Sequence, residues 1–174
     1  ATGEFISEGF HQGADHAEVV AIKAAKAIPA GSIIYVTLEP CNHQGKTPPC
    51  TAAIIDAGIK KVIYAVSDPN PIAAGGAERL RASGIEVEHG LLESEAAFDN
   101  CAWLTKIAKQ RPRITWKIAS TMDGKVAAAD GTSKWITSEL ARADVALLRS
   151  QVDAIVTSTA TVKADDPLLT SKGA

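Results

Sequence analysis

The apolar positions of this chain gather in short, nearly continuous runs separated by longer alanine-rich stretches. "SIIYVTL" (32–38) and "KVIYAV" (61–66) are β-branched, aromatic and almost wholly apolar. Runs of that length predict internal strands covered on both faces. Between them lie "HAEVVAIKAAKAI" (16–28), apolar on most sides, and "CTAAIIDAG" (50–58), entered through prolines and left through Gly58. Both predict helices, the first largely buried and stopped by Pro29 and Gly31. "GGAERLRASG" (75–84) predicts a short helix, "IEVEHG" (85–90) a strand, and "ESEAAFDNCAWLTKIAK" (93–109) one long helix. Near the N-terminus, "EFISEGF" (4–10) alternates as a strand does. Strands alternating with helices imply an α/β layered fold with a mostly parallel sheet.

The pattern changes at "QRPR" (110–113), a polar stretch with a proline that predicts a boundary between a 1–110 domain and a 111–174 domain. Beyond it, "ITWKIAS" (114–120) predicts a strand, "MDG" a turn, and Asp130-Gly131 the turn of a hairpin. "SELARADVALLRS" (138–150) predicts a helix capped by Thr137 or Ser138, with Glu139 in its first turn. "DAIVTS" (153–158) predicts one more buried strand.

Composition narrows the class of function. Apolar residues are 46% of the 174, charged residues 22%, and the net charge is −2. That is a globular balance with no electrostatic footprint for nucleic acid or an anionic membrane; a small polar substrate suits it better. No apolar stretch is long enough to cross a bilayer, and "ATGEFISEGF" lacks the build of a signal peptide. Three cysteines, an odd number, without a secretion signal argue against a disulfide framework and for the cytoplasm.

Candidate chemistry centres on "YVTLEPCNHQGKTPPC" (35–50). Its two cysteines suit a cystine, a metal site or plain core packing. His16 at a helix start, Cys41 at a strand end and Cys50 at the next helix start all fall where strands end and helices begin, the edge at which open α/β sheets bind ligands. Three such donors make an open zinc site, with one position left for water. Glu18, two residues after His16, is a candidate proton carrier. His-x-Glu followed by Pro-Cys-x-x-Cys is the signature of zinc deaminases. His16-Ala17-Glu18 and Pro40-Cys41 match it, but Cys50 arrives after eight residues instead of two. Cys101 and Trp116 read as core residues, and His11 and His89 as structural or exposed, His11 close enough to line the site mouth.

That longer loop, together with "DPNP" (68–71), resembles the bifunctional riboflavin-biosynthesis deaminase/reductase family, RibD or RibG. "KIASTMDGKVAAADGTSKWIT", "ARADVALLRSQVDAIVTS" and "TATVKADDPLLT" are similar to the opening of that family's reductase domain. The resemblance implies a cytidine-deaminase-like three-layer α/β domain followed by the start of a dihydrofolate-reductase-like α/β domain. It implies His16, Cys41 and Cys50 on zinc and Glu18 as catalytic proton shuttle. It implies hydrolytic deamination of a diaminopyrimidinone carrying a ribosylamino 5′-phosphate, with His43, Lys46, Asp68 and Asn70 contacting that substrate. In the second domain it implies NADPH-dependent reduction of ribosyl to ribityl. Ala119, Trp135, Thr161 and Asp165 match cofactor contacts there, and Ser133, Arg149, Leu169 and Lys172 substrate contacts. Lys172 stands where the family more often has arginine. The family's first helix and strand and its later reductase strands are not in this sequence, so both domains are expected to be partial and the NADPH site incomplete. A homo-oligomer is implied, and no nucleic-acid or membrane partner. The rival readings are a nucleoside or tRNA adenosine deaminase, which keeps its cysteines close, and a structural zinc module, which needs a fourth ligand.

Overall fold

The computed structural model describes residues 3–171; Lys172 lies outside them. The chain forms two compact units, Ala1–Ile114 and Thr115–Ala174.

The first unit is built on three parallel strands in the order β1-β2-β3: β1 (Ile33–Leu38), β2 (Lys61–Val66) and β3 (Glu86–His89). Registers Ile34↔Val62 and Leu38↔Val66 join β1 to β2, and Val62↔Val87 joins β2 to β3. Helices α1 (Ala17–Ala24), α2 (Cys50–Asp56) and α3 (Gly76–Ala82) alternate with these strands. Ile54, Val62 and Leu80 are fully buried, and Ile22 of α1 and Ile34 and Val36 of β1 pack against them. A second cluster forms where α4 (Glu93–Asp99) and α5 (Cys101–Lys109) add Ala96, Ala97 and Leu104 to Leu38, Ala65 and Val66. Alternating apolar runs and amphipathic stretches thus give the expected parallel α/β arrangement.

Four local expectations change. Residues 4–10 form no strand. They lie along α1 instead, where the Ser7 hydroxyl donates to the Ala21 carbonyl at 2.8 Å, and a Cβ on Gly9 would stand 2.1 Å from the Ala17 carbonyl oxygen. A backbone seated that close on a helix has no free edge to pair. The first helix ends at Ala24, before Pro29, because Ala25 is already extended at ψ 125°. The stretch 93–109 is two helices, broken at Asn100, whose amide donates back to the Ala96 carbonyl at 3.0 Å in competition with the helix ladder. β1 is not covered on both faces: it lies at the sheet edge, and Tyr35 is 63% exposed.

The second unit contains α6 (Glu139–Ser150) and α7 (Thr159–Asp165). Ser138 caps α6, its hydroxyl accepting the Ala141 N–H at 3.2 Å. Ser158 caps α7 through the Thr161 N–H at 3.1 Å, a helix the apolar pattern did not reveal. Tight turns close at Thr121–Lys125 and Ala128–Thr132, the latter around Asp130-Gly131. The strands expected at 114–120 and 153–158 are absent, since neither run has a ladder partner among the described residues. Trp116, read as core, is 85% exposed in consequence. No helix among the described residues is long and apolar enough to cross a membrane.

Candidate metal centre and its cavity

Because β1 and β2 run parallel and in register at Leu38↔Val66, the segments that follow them emerge side by side. Glu39-Pro40-Cys41 leaves β1 and Asp68-Pro69-Asn70 leaves β2 at one edge of the sheet. His16 immediately precedes α1, and Cys50 is the first residue of α2. The donor atoms of His16, Cys41 and Cys50 lie within 4.8 Å of one another. His16 Nδ1 faces both sulfurs, 3.6 Å from Cys41 Sγ and 3.3 Å from Cys50 Sγ. A tetrahedral ion with metal–sulfur bonds of about 2.3 Å and a metal–nitrogen bond of about 2.0 Å holds its N and S donors roughly 3.5 Å apart. The donor set and its spacing fit zinc, and three protein donors are the number found in catalytic zinc sites. Both cysteines are free thiols, which removes the cystine alternative.

The local fold fixes these donors. Pro49, at the N-cap of α2, has no side chain able to accept a hydrogen bond. Cys41 supplies the acceptors instead: its Sγ takes the Cys50 N–H at 3.4 Å and its carbonyl takes the Thr51 N–H at 3.3 Å. On its other side, a Cβ on Gly76 would stand 1.9 Å from the Pro40 carbonyl oxygen, so α3 approaches this segment as closely as glycine permits.

Two neighbouring sulfurs cannot both be thiolates without a cation between them. The hydrogen bond from the Cys50 thiol pulls the Cys41 thiol down to about 5, against the opposing effect of burial. Cys50 is pushed up by that same contact, by burial and by the Glu18 carboxylate. A dication among the three donors reverses this relation and favours two thiolates. Glu18 is 8% exposed. Burial raises its carboxyl above the usual carboxylate range, partly offset by its own backbone N–H, Cys50 and His16.

A cavity of about 280 Å³ opens beside the donors, walled by His11, His16, Cys41, His43, Lys46 and Thr47. His43 and Lys46 thus both line this cavity. His43 Nδ1 is buried without a hydrogen-bond partner. His11, which the sequence placed close enough to line the site mouth, meets the His16 ring edge-on at 5.4 Å, is held by the Asp15 carbonyl at 2.7 Å and forms part of the cavity wall. Asp68 and Asn70 do not line this cavity, although Asp68 lies near enough to Cys41 and His43 to feel their charges. Burial raises the Asp68 carboxyl most; the Glu39 and Cys41 charges add to that and His43 opposes it. Glu39 was missed from sequence. It is 8% exposed and accepts the Ala77 N–H at 2.9 Å and the Asp68 N–H at 3.3 Å. A charged residue directly after a buried strand and before Pro-Cys was the available signal. Cys101, read as core, is only half-buried in α5.

In the second unit, Trp135 lies under the Arg142 guanidinium at 4.5 Å, and Thr161 is engaged with Ser158 through both its N–H and its hydroxyl. Thr161 and Asp165 stand one turn apart on α7 and so share a face. Arg149 donates to the Thr170 carbonyl at 3.4 Å, next to Leu169. Ser133 and Ala119 are half-buried. Among the described residues no side-chain hydrogen bond joins Trp135, Thr161 and Asp165 to one another.

Comparison with known proteins agrees with both units. The sequence model of the cytidine and deoxycytidylate deaminase zinc-binding region matches residues 2–66, and that of the RibD C-terminal domain matches residues 112–174. Riboflavin biosynthesis protein RibD of Mycobacterium tuberculosis is 53% identical over 161 residues, covering 92% of this chain and 48% of the relative. The Escherichia coli RibD is 50% identical over 171 residues, 97% of this chain and 47% of the relative. The chain belongs to the RibD family. A crystal structure of a diaminohydroxyphosphoribosylaminopyrimidine deaminase/5-amino-6-(5-phosphoribosylamino)uracil reductase from Thermotoga maritima superimposes with a TM-score of 0.93 at 44% identity, over 99% of this chain and 50% of that one. Acinetobacter baumannii RibD gives 0.84 at 46% identity, over 95% and 48%. The chain spans about half the length of the RibD relatives it matches. The expected fold class stands: a cytidine-deaminase-like α/β domain followed by a stretch of the dihydrofolate-reductase-like RibD domain.

Proposed function

We propose that the first unit catalyses zinc-dependent hydrolytic deamination of a diaminopyrimidinone bearing a ribosylamino 5′-phosphate, in riboflavin biosynthesis. The observation that carries this reading is the cluster of three donors, His16, Cys41 and Cys50, beside a buried Glu18. His16, Cys41 and Cys50 hold the ion. A zinc ion with three protein ligands supplies a Lewis acid that makes water a nucleophile near neutral pH. Glu18 would accept one proton from the attacking water and deliver it to the ring nitrogen. It would then take the second proton from the hydroxyl formed on the ring carbon, which becomes the carbonyl, and deliver it to the departing amine. Burial favours that work, since a carboxyl raised toward neutrality both takes and returns a proton. Lys46 at the cavity wall offers a positive charge to the phosphate, and His43, also at that wall, its ring to the heterocycle. Asp68 and Asn70 complete the substrate contacts.

The second unit is assigned to NADPH-dependent reduction of the ribosyl group, with Ala119, Trp135, Thr161 and Asp165 toward the cofactor and Ser133, Arg149, Leu169 and Lys172 toward the substrate. Its support is the RibD C-terminal match over 112–174. The 1–110 and 111–174 division, a cytoplasmic location and a homo-oligomeric state belong to the same reading. A structural zinc module is disfavoured because no fourth His, Cys, Asp or Glu joins the donor cluster among the described residues.

The test is ammonia release by the zinc-loaded full chain offered the diaminopyrimidinone phosphate. Glu18→Gln is expected to keep its zinc and lose about 10²- to 10⁴-fold in kcat. A zinc-loaded wild type that releases no ammonia overturns the function, and full activity in Glu18→Gln overturns the role of Glu18.

A further inference from the structure

Glu39 is a buried acidic side chain, and among the described residues it has no salt-bridge partner. Its two oxygens reach different segments instead. Oε1 accepts the Ala77 N–H at the start of α3, and Oε2 accepts the Asp68 N–H at the end of β2. The connections continue from there. Asp68 Oδ1 accepts the Asn70 N–H at 2.8 Å, and the Asn70 carbonyl accepts the Ala73 N–H at 3.0 Å. The Ala73 carbonyl then accepts the Asn42 N–H at 3.1 Å. Asn42 follows Cys41, so the path returns to the segment it left. It is a closed ring, Glu39 to Asp68 to Asn70 to Ala73 to Asn42, whose covalent side is Glu39-Pro40-Cys41-Asn42. Thr51 ties α2 into the ring by donating to Asn42 Oδ1 at 3.2 Å.

We propose that Glu39 is a positioning residue that sets the Asp68–Asn70 loop against the Cys41 segment, and through that loop fixes the fit of the substrate. The proposal rests on the deaminase reading for its substrate. The side chain must be a carboxylate because both partners are N–H donors. Glutamine keeps one acceptor oxygen but turns an NH₂ group toward the other donor. The ring opens at that point while the metal donors, held by the Cys41–Cys50–Thr51 bonds, stay in place.

The experiment compares Glu39→Gln with the wild type in the zinc-loaded full chain. KM for the diaminopyrimidinone phosphate is expected to rise about 10- to 100-fold, with kcat changed much less and zinc content equal to that of the wild type. Combined with Asp68→Ala, the substitution is expected to add little to the loss caused by Asp68→Ala alone, because both open one ring. Additive losses, or loss of zinc in Glu39→Gln, overturn the proposal. If Glu39→Gln fails to fold, Glu39→Asp keeps both acceptors on a shorter arm; it is expected to raise KM with zinc retained, and an unchanged KM overturns the proposal. Amide hydrogen exchange separates this idea from the deaminase reading. Asp68 and Ala77 should lose protection about tenfold or more in Glu39→Gln while Cys50 and Thr51 do not. Unchanged protection at Asp68 refutes the positioning role whatever the activity of the wild type.

Discussion

"KVIYAV" in the first unit and "DAIVTS" in the second each carry a β-branched apolar run, yet Val62 is fully buried and Val156 is 94% exposed. The difference lies in their neighbours. β2 is paired on both sides, by β1 and β3, and receives Ile54 of α2 and Leu80 of α3 against it. Residues 153–158 have no ladder partner among the described residues. An apolar run states that a segment requires cover; whether it becomes a strand is a property of at least two segments. The functional contrast follows the same line. In the first unit the starts of α1 and α2 and the segment leaving β1 bring His16, Glu18, Cys50 and Cys41 together, whereas in the second unit Thr161 and Asp165 share only a helix face.

The sharpest break in this contrast is at the metal donors. Cys50→Ser should abolish stoichiometric zinc binding and bring ammonia release to background, while Ser133→Ala in the second unit leaves both unchanged; metal analysis alongside the ammonia assay checks this. Core substitutions come next. Ile54→Ala removes a fully buried side chain and should cost the first unit about 2–5 kcal/mol. Val156→Ala should cost less than about 0.5 kcal/mol. Urea unfolding measures both, and equal losses would erase the distinction between the units.

The smallest effect is a pH dependence of the metal-free protein. Burial raises the folded-state value of Glu18 above its ordinary 4.5. A carboxyl raised on folding favours the native state when protonated. That contribution is complete below the unfolded value and is lost as pH rises through the higher folded one. Metal-free wild type should therefore be less stable than metal-free Glu18→Gln at pH 7, with the gap closing below about pH 4. A gap that widens on acidification would show that Glu18 is stabilised as an anion.

The site was more legible in the sequence than the fold around it. His16, Glu18, Cys41 and Cys50 could be read because zinc chemistry dictates donor types and because helix starts and strand ends carry recognisable residues. Glu39 could not, since it accepts backbone N–H bonds from sequence-distant segments, and for His11 the sequence indicated nearness to the site mouth but not its edge-on packing against His16. Among the elements, the helix break at Asn100 and the short α1 are decided by single side chains and backbone angles, which periodicity does not register. The missing second-unit strands show the other limit, pattern without a partner.

The cap of α2 has a thermodynamic consequence. Cys41 is at once a candidate metal donor and the acceptor for the first two N–H groups of the helix that carries Cys50. Nucleating that helix and assembling the donor set are therefore one cooperative event, linked so that ion binding and helix formation lower each other's free-energy cost. Far-ultraviolet ellipticity should consequently titrate with added zinc, and its midpoint should coincide with that of metal binding.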